Sequence, residues 1–132
     1  MPICGRGWSV IQVEFGRQSG RLFQSYSACA EACEAGGLRV VCSVSAVQTM
    51  LRLGLTCIRI QDAFGADVET VWNTDTRRGG MTGYNCSRHT VAEVILLPPG
   101  TYTAVVTFYA RNGSGSDTVA VRTEPVTLEA TE

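Results

Sequence analysis

The sequence predicts an all-β fold: a single-domain two-sheet β-sandwich, Ig-like or jelly-roll-like, with a loose N-terminal arm. Three observations predict it. Apolar and polar residues take turns along several segments. Gly and Pro punctuate the chain at short intervals. About seven strand-like segments recur at ~8–12-residue spacing, the pattern of a sandwich or barrel. The length of 132 residues suits one domain, and such a chain buries roughly two thirds of the surface its unfolded form exposes. The division is residues 1–18 as an arm or extra strand, and 19–132 as the β-sandwich domain.

The elements follow in chain order. Trp8 to Phe15 reads as a first strand, with Ile11, Val13 and Phe15 on one face, and Gly16 to Gly20 interrupts it. Arg21 to Cys33 admits two readings. Its ACAEACEA run fits a short helix, whereas Phe23 and Tyr26 fit extended chain. After Gly36-Gly37, Leu38, Val40, Cys42, Val44 and Ala46 recur every second residue, which places them on one face of a half-buried strand. Gln48 to Arg52 reads as a bend or a helical turn. Leu55 to Gln61 and Val68 to Trp72 are strands joined by the loop AFGAD, and a polar, glycine-rich loop runs from Asn73 to Gly83. Thr90 to Leu97 ends at Pro98-Pro99-Gly100, which cannot continue a ladder. Thr101 to Ala110 sets Tyr102, Ala104, Val106 and Phe108 on one face. RNGSGSD is a hairpin loop, Thr118 to Thr123 pairs back, and Pro125 precedes the last strand, Val126 to Leu128. Val40, Val44, Ile58, Trp72, Val106 and Phe108 are the expected core between two sheets about 10 Å apart. No sequence repeat points to a solenoid or propeller.

Composition narrows the chemistry. All eleven basic residues are arginine, so every lysine-dependent reaction is excluded. The net charge is −1, which lacks the basic footprint that nucleic acid demands. No run approaches the ~18 apolar residues of a membrane helix. The first residues, MPICGRGWSVIQVEFGRQSG, lack the charged and apolar regions of a signal peptide. The chain is expected to need no cofactor.

Six cysteines, Cys4, Cys29, Cys33, Cys42, Cys57 and Cys86, fit three disulfides, in a connectivity that sequence does not choose. Two alternatives stand beside that reading. Cys42 and Cys57 lie in apolar strand patterns, where a free cysteine serves as a small core residue. Cys29 and Cys33 fit one face of a helical turn, and with Cys42 and the single histidine, His89, they make a zinc set with an acceptable first spacing but no matching second pair. Cys4, beside Gly5 and Gly7, is placed to link one chain to another.

Other features have a plainer reading that outweighs the sharper one. Cys86 and His89 suggest a thiol and its base, yet residues three apart on a strand face opposite ways. Asp62, Asp67 and Glu69 offer oxygens for calcium but lack EF-hand spacing and read as solvated turn residues. Asp75, Arg77 and Arg78 form a charged loop able to grip an anion, though loop arginines are usually just exposed. Trp8, Tyr26, Tyr84, Tyr102 and Tyr109 would make a sugar-stacking surface only if they cluster on one exposed face; Tyr102 reads as core and Tyr84 as surface. Asn85-Cys86-Ser87 and Asn112-Gly113-Ser114 match the glycosylation triplet, a frequent chance pattern.

Several blocks carry a family likeness. They are SGRLFQSYSACAEACEAGGLRVVCSVSAV, Thr49-Met50 with Leu53-Gly54, LTCIRIQDA, GGMTGYN, and GTYTAVVTFYARNGSGSDT. From about Ser19 to Leu128 the chain resembles a family of short secreted β-sandwich proteins of clostridial and other Firmicutes bacteria, a domain of unknown function. The resemblance implies a β-sandwich and a secreted or cell-surface setting, with no catalytic residues to carry over. The chain departs from it in having six cysteines and in its first eighteen residues.

The expected function is therefore that of a non-enzymatic secreted or cell-surface protein that self-associates, as a coat or appendage subunit forming homo-oligomers or filaments. The alternative is a binding module for a glycan or host protein, through loops 80–88 and 111–116. Its surface would comprise Tyr84, Asn85, Arg88, Arg111 and Asn112. An enzyme is disfavoured by the single histidine, the missing lysine and the absence of a paired-carboxylate motif.

Overall fold

The structure is a computed structural model and describes residues 10–13, 22–33, 36–72 and 81–129. These form eight strands: β1 (Val10–Val13), β2 (Phe23–Cys33), β3 (Gly37–Gln61), β4 (Asp67–Trp72), β5 (Thr82–Leu96), β6 (Gly100–Asn112), β7 (Gly115–Thr123) and β8 (Val126–Leu128). Every pairing is antiparallel. The all-β expectation holds, and the ACAEACEA run is strand rather than helix as far as Cys33. Ala28 is buried in the core there and Cys29 on the other face, as alternation requires.

The organising element is β3, which is 25 residues long. Its first half, Gly37 to Ala46, lies between β2 and β5. Its second half, Arg52 to Gln61, pairs with β6, while β5 and then β4 follow the opposite edge. β7 pairs with β6, β1 with β7, and β8 with the first residues of β6. The result is one curled antiparallel sheet, a half-barrel, instead of the two separate stacked sheets the sequence suggested. The segment expected to bend or turn helically, Gln48 to Arg52, does bend, but as strand. Between Ser45 and Met50 the register against β5 slips, and the ladder resumes beyond the slip. Such irregularities bend a strand without ending it.

The core fills the inside of the curl. Leu38, Val40, Cys42, Val44 and Ala46 from the first half of β3 meet Ile58, Ile60, Val106, Phe108, Val119 and Val121 from the second limb. Tyr26 bridges the limbs, its ring 5.7 Å from Phe108 and edge-on to Phe23 at 5.6 Å. The buried Asp117 carboxylate accepts a hydrogen bond from the Leu22 N–H at 2.9 Å, which ties the start of β2 to β7. Five of the six expected core residues are buried; Trp72 is not. It stands opposite Cys57 on the outer face, and its neighbour Val71 takes the inward place opposite Ile58.

Gly54 is held by close backbone approach. A Cβ there would sit 2.1 Å from the Met81 carbonyl oxygen, which accepts the Leu55 N–H at 2.8 Å. Gly54→Ala must displace that backbone and is expected to cost about 2–3 kcal/mol, read from urea unfolding. Gly113→Ala, with nothing within 4 Å of the added atom, is expected to shift the midpoint far less.

Candidate functional site

Three places on the molecule gather chemistry-bearing side chains. The first is a row across the outer face of the second limb. Arg52 on β3 stands directly opposite Tyr84 on β5 and directly opposite Arg111 on β6. All three are exposed, and the Arg52 guanidinium carbon lies 5.8 Å from the centre of the Tyr84 ring. The contact is of cation–π type. Tyr84 and Arg111 were expected on loops; the structure puts both on strands and joins them through Arg52, a residue the sequence reading assigned to a bend. Only strand register connects these three, and register is invisible in local sequence.

The remaining members of the expected loop surface do other work. Asn85 is the one described non-glycine residue with positive φ, at 54°, a conformation asparagine tolerates better than most. Asn112 caps the β6–β7 turn, its Oδ1 accepting from Ser114 N at 2.9 Å and Gly115 N at 3.0 Å. Arg88 lies opposite Ser45 on the first limb, beyond the register slip.

The second place is on the inner face of β5. The Cys86 Sγ and the His89 Nδ1 each lie 2.8 Å from the position a Cβ of Gly83 would take, so they are within twice that distance of each other. Simple alternation predicts opposite faces for residues three apart. The slip between Ser45 and Met50 falls opposite Ser87 and overturns that expectation. His89 then sits across from the buried Val44, and Cys86 packs against the core across from Met50. The third place is a cavity of about 530 Å³ at the end of the curl, between Cys33, Gly36, Leu97, Pro99 and Leu128.

The cysteines do not form three disulfides. Cys33, Cys42, Cys57 and Cys86 are free thiols. Cys29, buried with Val41, is not among the free thiols, and Cys4 lies outside the described residues. Nor do the residues of the alternative zinc set converge. Cys42 faces the core, Cys29 faces the other side of the sheet, and Cys33 is four strand residues beyond Cys29, roughly 13 Å along the chain. Among the described residues no three metal-ligating side chains gather. Two of the calcium trio are likewise engaged elsewhere, and Glu69 stands exposed on β4 opposite Ile60. Asp62 Oδ1 accepts the Phe64 and Ala66 N–H groups at 2.9 and 3.0 Å, and Asp67 takes Gln61 Nε2 at 3.1 Å and pairs with Arg59 at 3.5 Å. Tyr102 is core, as expected, and donates its hydroxyl to the Pro98 carbonyl at 2.7 Å. Tyr26 packs inward, so neither joins Tyr84 in a stacking surface. Trp8, Asp75, Arg77 and Arg78 fall outside the described residues.

Compared with known proteins, the chain matches no family model, no curated protein and no solved structure.

Burial, reinforced by the nearby Glu93 carboxylate, pushes the Cys42 thiol well above its ordinary value of 9.0. Its neutral form is therefore favoured in the folded chain. That contribution to stability is complete below pH 9 and is lost as pH rises beyond it, because the unfolded chain gives up the proton first. The alkaline fall in stability, measured by urea unfolding from pH 8 to 11, is expected to be shallower in Cys42→Ala than in the parent.

Proposed function

We propose that this chain is a non-enzymatic secreted or cell-surface protein that self-associates, with β4 as the contact. One observation carries the proposal. Phe64 is 95% exposed at the tip of the turn leading into β4, and Val68 and Trp72 on β4 are 44% and 55% exposed. β4 carries some of the charge and irregularity that protect edges, in Asp67, Glu69 and a register shift against β3 at Val68. Yet its far end, Thr70 to Trp72, is regular and uncharged, and exposed aromatic residues are enriched where proteins meet. Among the described strands β4 pairs with β3 alone.

The order of residues on β4 favours a second copy as the occupant. If two β4 strands pair antiparallel about Thr70, Val68 of each copy, the residue left unpaired by the register shift against β3, falls opposite Trp72 of the other. Aromatic against β-branched is among the favourable cross-strand combinations, and a two-fold axis makes the contact twice. The single histidine and the absence of lysine support the non-enzymatic part. A coat or appendage would require a further contact beyond this closed pair.

A second reading, a binding module for a glycan or protein, is favoured by the row of Tyr84, Arg52 and Arg111 on one exposed face.

Sedimentation velocity across a concentration series tests the first reading. The parent is expected to show a concentration-dependent dimer or larger species. Val68→Arg and Trp72→Ser are expected to return it to monomer with the thermal midpoint little changed, since both side chains are exposed. A parent that stays monomeric at every concentration, or variants that associate as well as the parent, would overturn it.

A further inference from the structure

The outer-face row contains an unfavourable feature that folding does not account for. Arg52 and Arg111 are cross-strand partners, so two positive side chains start about 5 Å apart at their Cβ atoms. Like charges directly opposite one another destabilise a sheet. Neither has a carboxylate partner among the described residues; the ion pair of this limb is Arg59 with Asp67, farther along β3. On the far side of Arg52, the Tyr84 ring stands 5.8 Å from the guanidinium and is 64% exposed. An arginine placed against an aromatic face keeps its fork of N–H donors for a planar oxyanion. The strands thus present one ring and two guanidinium forks in a line, on rigid backbone.

We propose that this row binds an acidic polysaccharide, with a uronic carboxylate held between Arg52 and Arg111 and the apolar face of a neighbouring sugar stacked on Tyr84. The inference deepens the binding-module reading and rests on it. The chemistry selects the ligand class. Two facing arginines without a carboxylate partner among the described residues favour an anion, and the exposed side of the ring favours a flat apolar face beside it. The overall charge of −1 gives no broad field for a densely charged polymer such as nucleic acid. A sugar chain that carries its charge on separate carboxylates, each met by a local fork, fits better. A poly-acidic peptide would satisfy the arginines but offer no flat apolar face to the exposed side of the Tyr84 ring.

Isothermal titration with a galacturonic acid oligomer tests this, against its methyl-esterified form, a poly-glutamate peptide and a single-stranded DNA oligomer. The acidic oligomer is expected to bind, and to bind at least tenfold more tightly than the ester. Arg52→Gln, Arg111→Gln and Tyr84→Ala are each expected to weaken it tenfold or more, and added salt to weaken it further. Relief of the like-charge pair gives a readout independent of any ligand: Arg111→Gln is expected to raise the thermal midpoint while it lowers affinity. Equal affinity for ester and acid would overturn the charged-sugar assignment and leave the binding module standing. Preference for poly-glutamate or DNA would overturn it as well. Blank titrations with all four would remove both. A midpoint that falls in Arg111→Gln would contradict the unfavourable pairing from which the proposal starts.

Discussion

Everything in this molecule is hung from one ladder of backbone hydrogen bonds, that of β3. Its 25 residues pair with β2 and β5 over the first half and with β6, β5 and β4 over the second. A flat strand that long would leave one face of each half in water. The slip between Ser45 and Met50 turns the second half toward the first, so that Val40, Val44, Ile58 and Phe108 share one interior. Two weaker ties hold the curl in place where the limbs diverge. They are the Asp117 carboxylate on the Leu22 amide and the Tyr26 ring against Phe108. A buried carboxylate is costly unless it is hydrogen-bonded; Asp117 also accepts the Thr118 N–H at 3.1 Å, so its burial is compensated.

What was legible in the sequence was whatever depends on neighbours in the chain. Leu38 to Ala46 alternates, and it is a strand with those residues inward. Thr101 to Ala110 alternates, and it forms most of β6. Where alternation fails, the reading failed too. Gln48 to Arg52 looked like a break because the residues around a register slip lose the period of two, yet the ladder runs on. The same slip brings Cys86 and His89 to one face, where a period of two forbids it. Trp72 reads as core in the sequence, on a strand that packs into the interior. One residue of phase places Val71 inward instead, and phase is set by pairing with Ile58, a contact made by tertiary structure. The ACAEACEA run is ambiguous in isolation since alanine favours helix. Pairing with β3 decides the matter. The outer-face row was half visible: Tyr84 and Arg111 stood out as surface residues, but Arg52, which joins them, was hidden in the apparent bend.

The two faces of the sheet carry different kinds of irregularity. Inside, polar or reactive groups such as Asp117, Cys42 and His89 are placed among apolar neighbours, and the described side chains leave no buried nitrogen or oxygen unsatisfied. Outside, the departures from ordinary surface chemistry are of the opposite kind: apolar side chains where charge is usual, on β4, and like charges where opposite ones are usual, between β3 and β6. A fold optimised for stability alone would repair both at little cost to its core. Their presence in a chain otherwise consistent across levels is what directs attention to function.

Geometry also relates the two proposed contacts to each other. Directly opposed residues of an antiparallel pair point to the same side of a sheet. Trp72 lies opposite Cys57 on the outer face, the face that also bears Arg52, Tyr84 and Arg111. Two copies joined edge to edge through β4 would therefore extend one surface across the two-fold axis, with an arginine row on each half and both rows facing the same way. A polymeric ligand long enough to reach both would engage the second row as an intramolecular event, and its apparent affinity would exceed that of either row alone. In that arrangement the proposed association at the edge and the proposed recognition on the face would use separate residues yet reinforce each other, because the sheet that supplies the one extends the other.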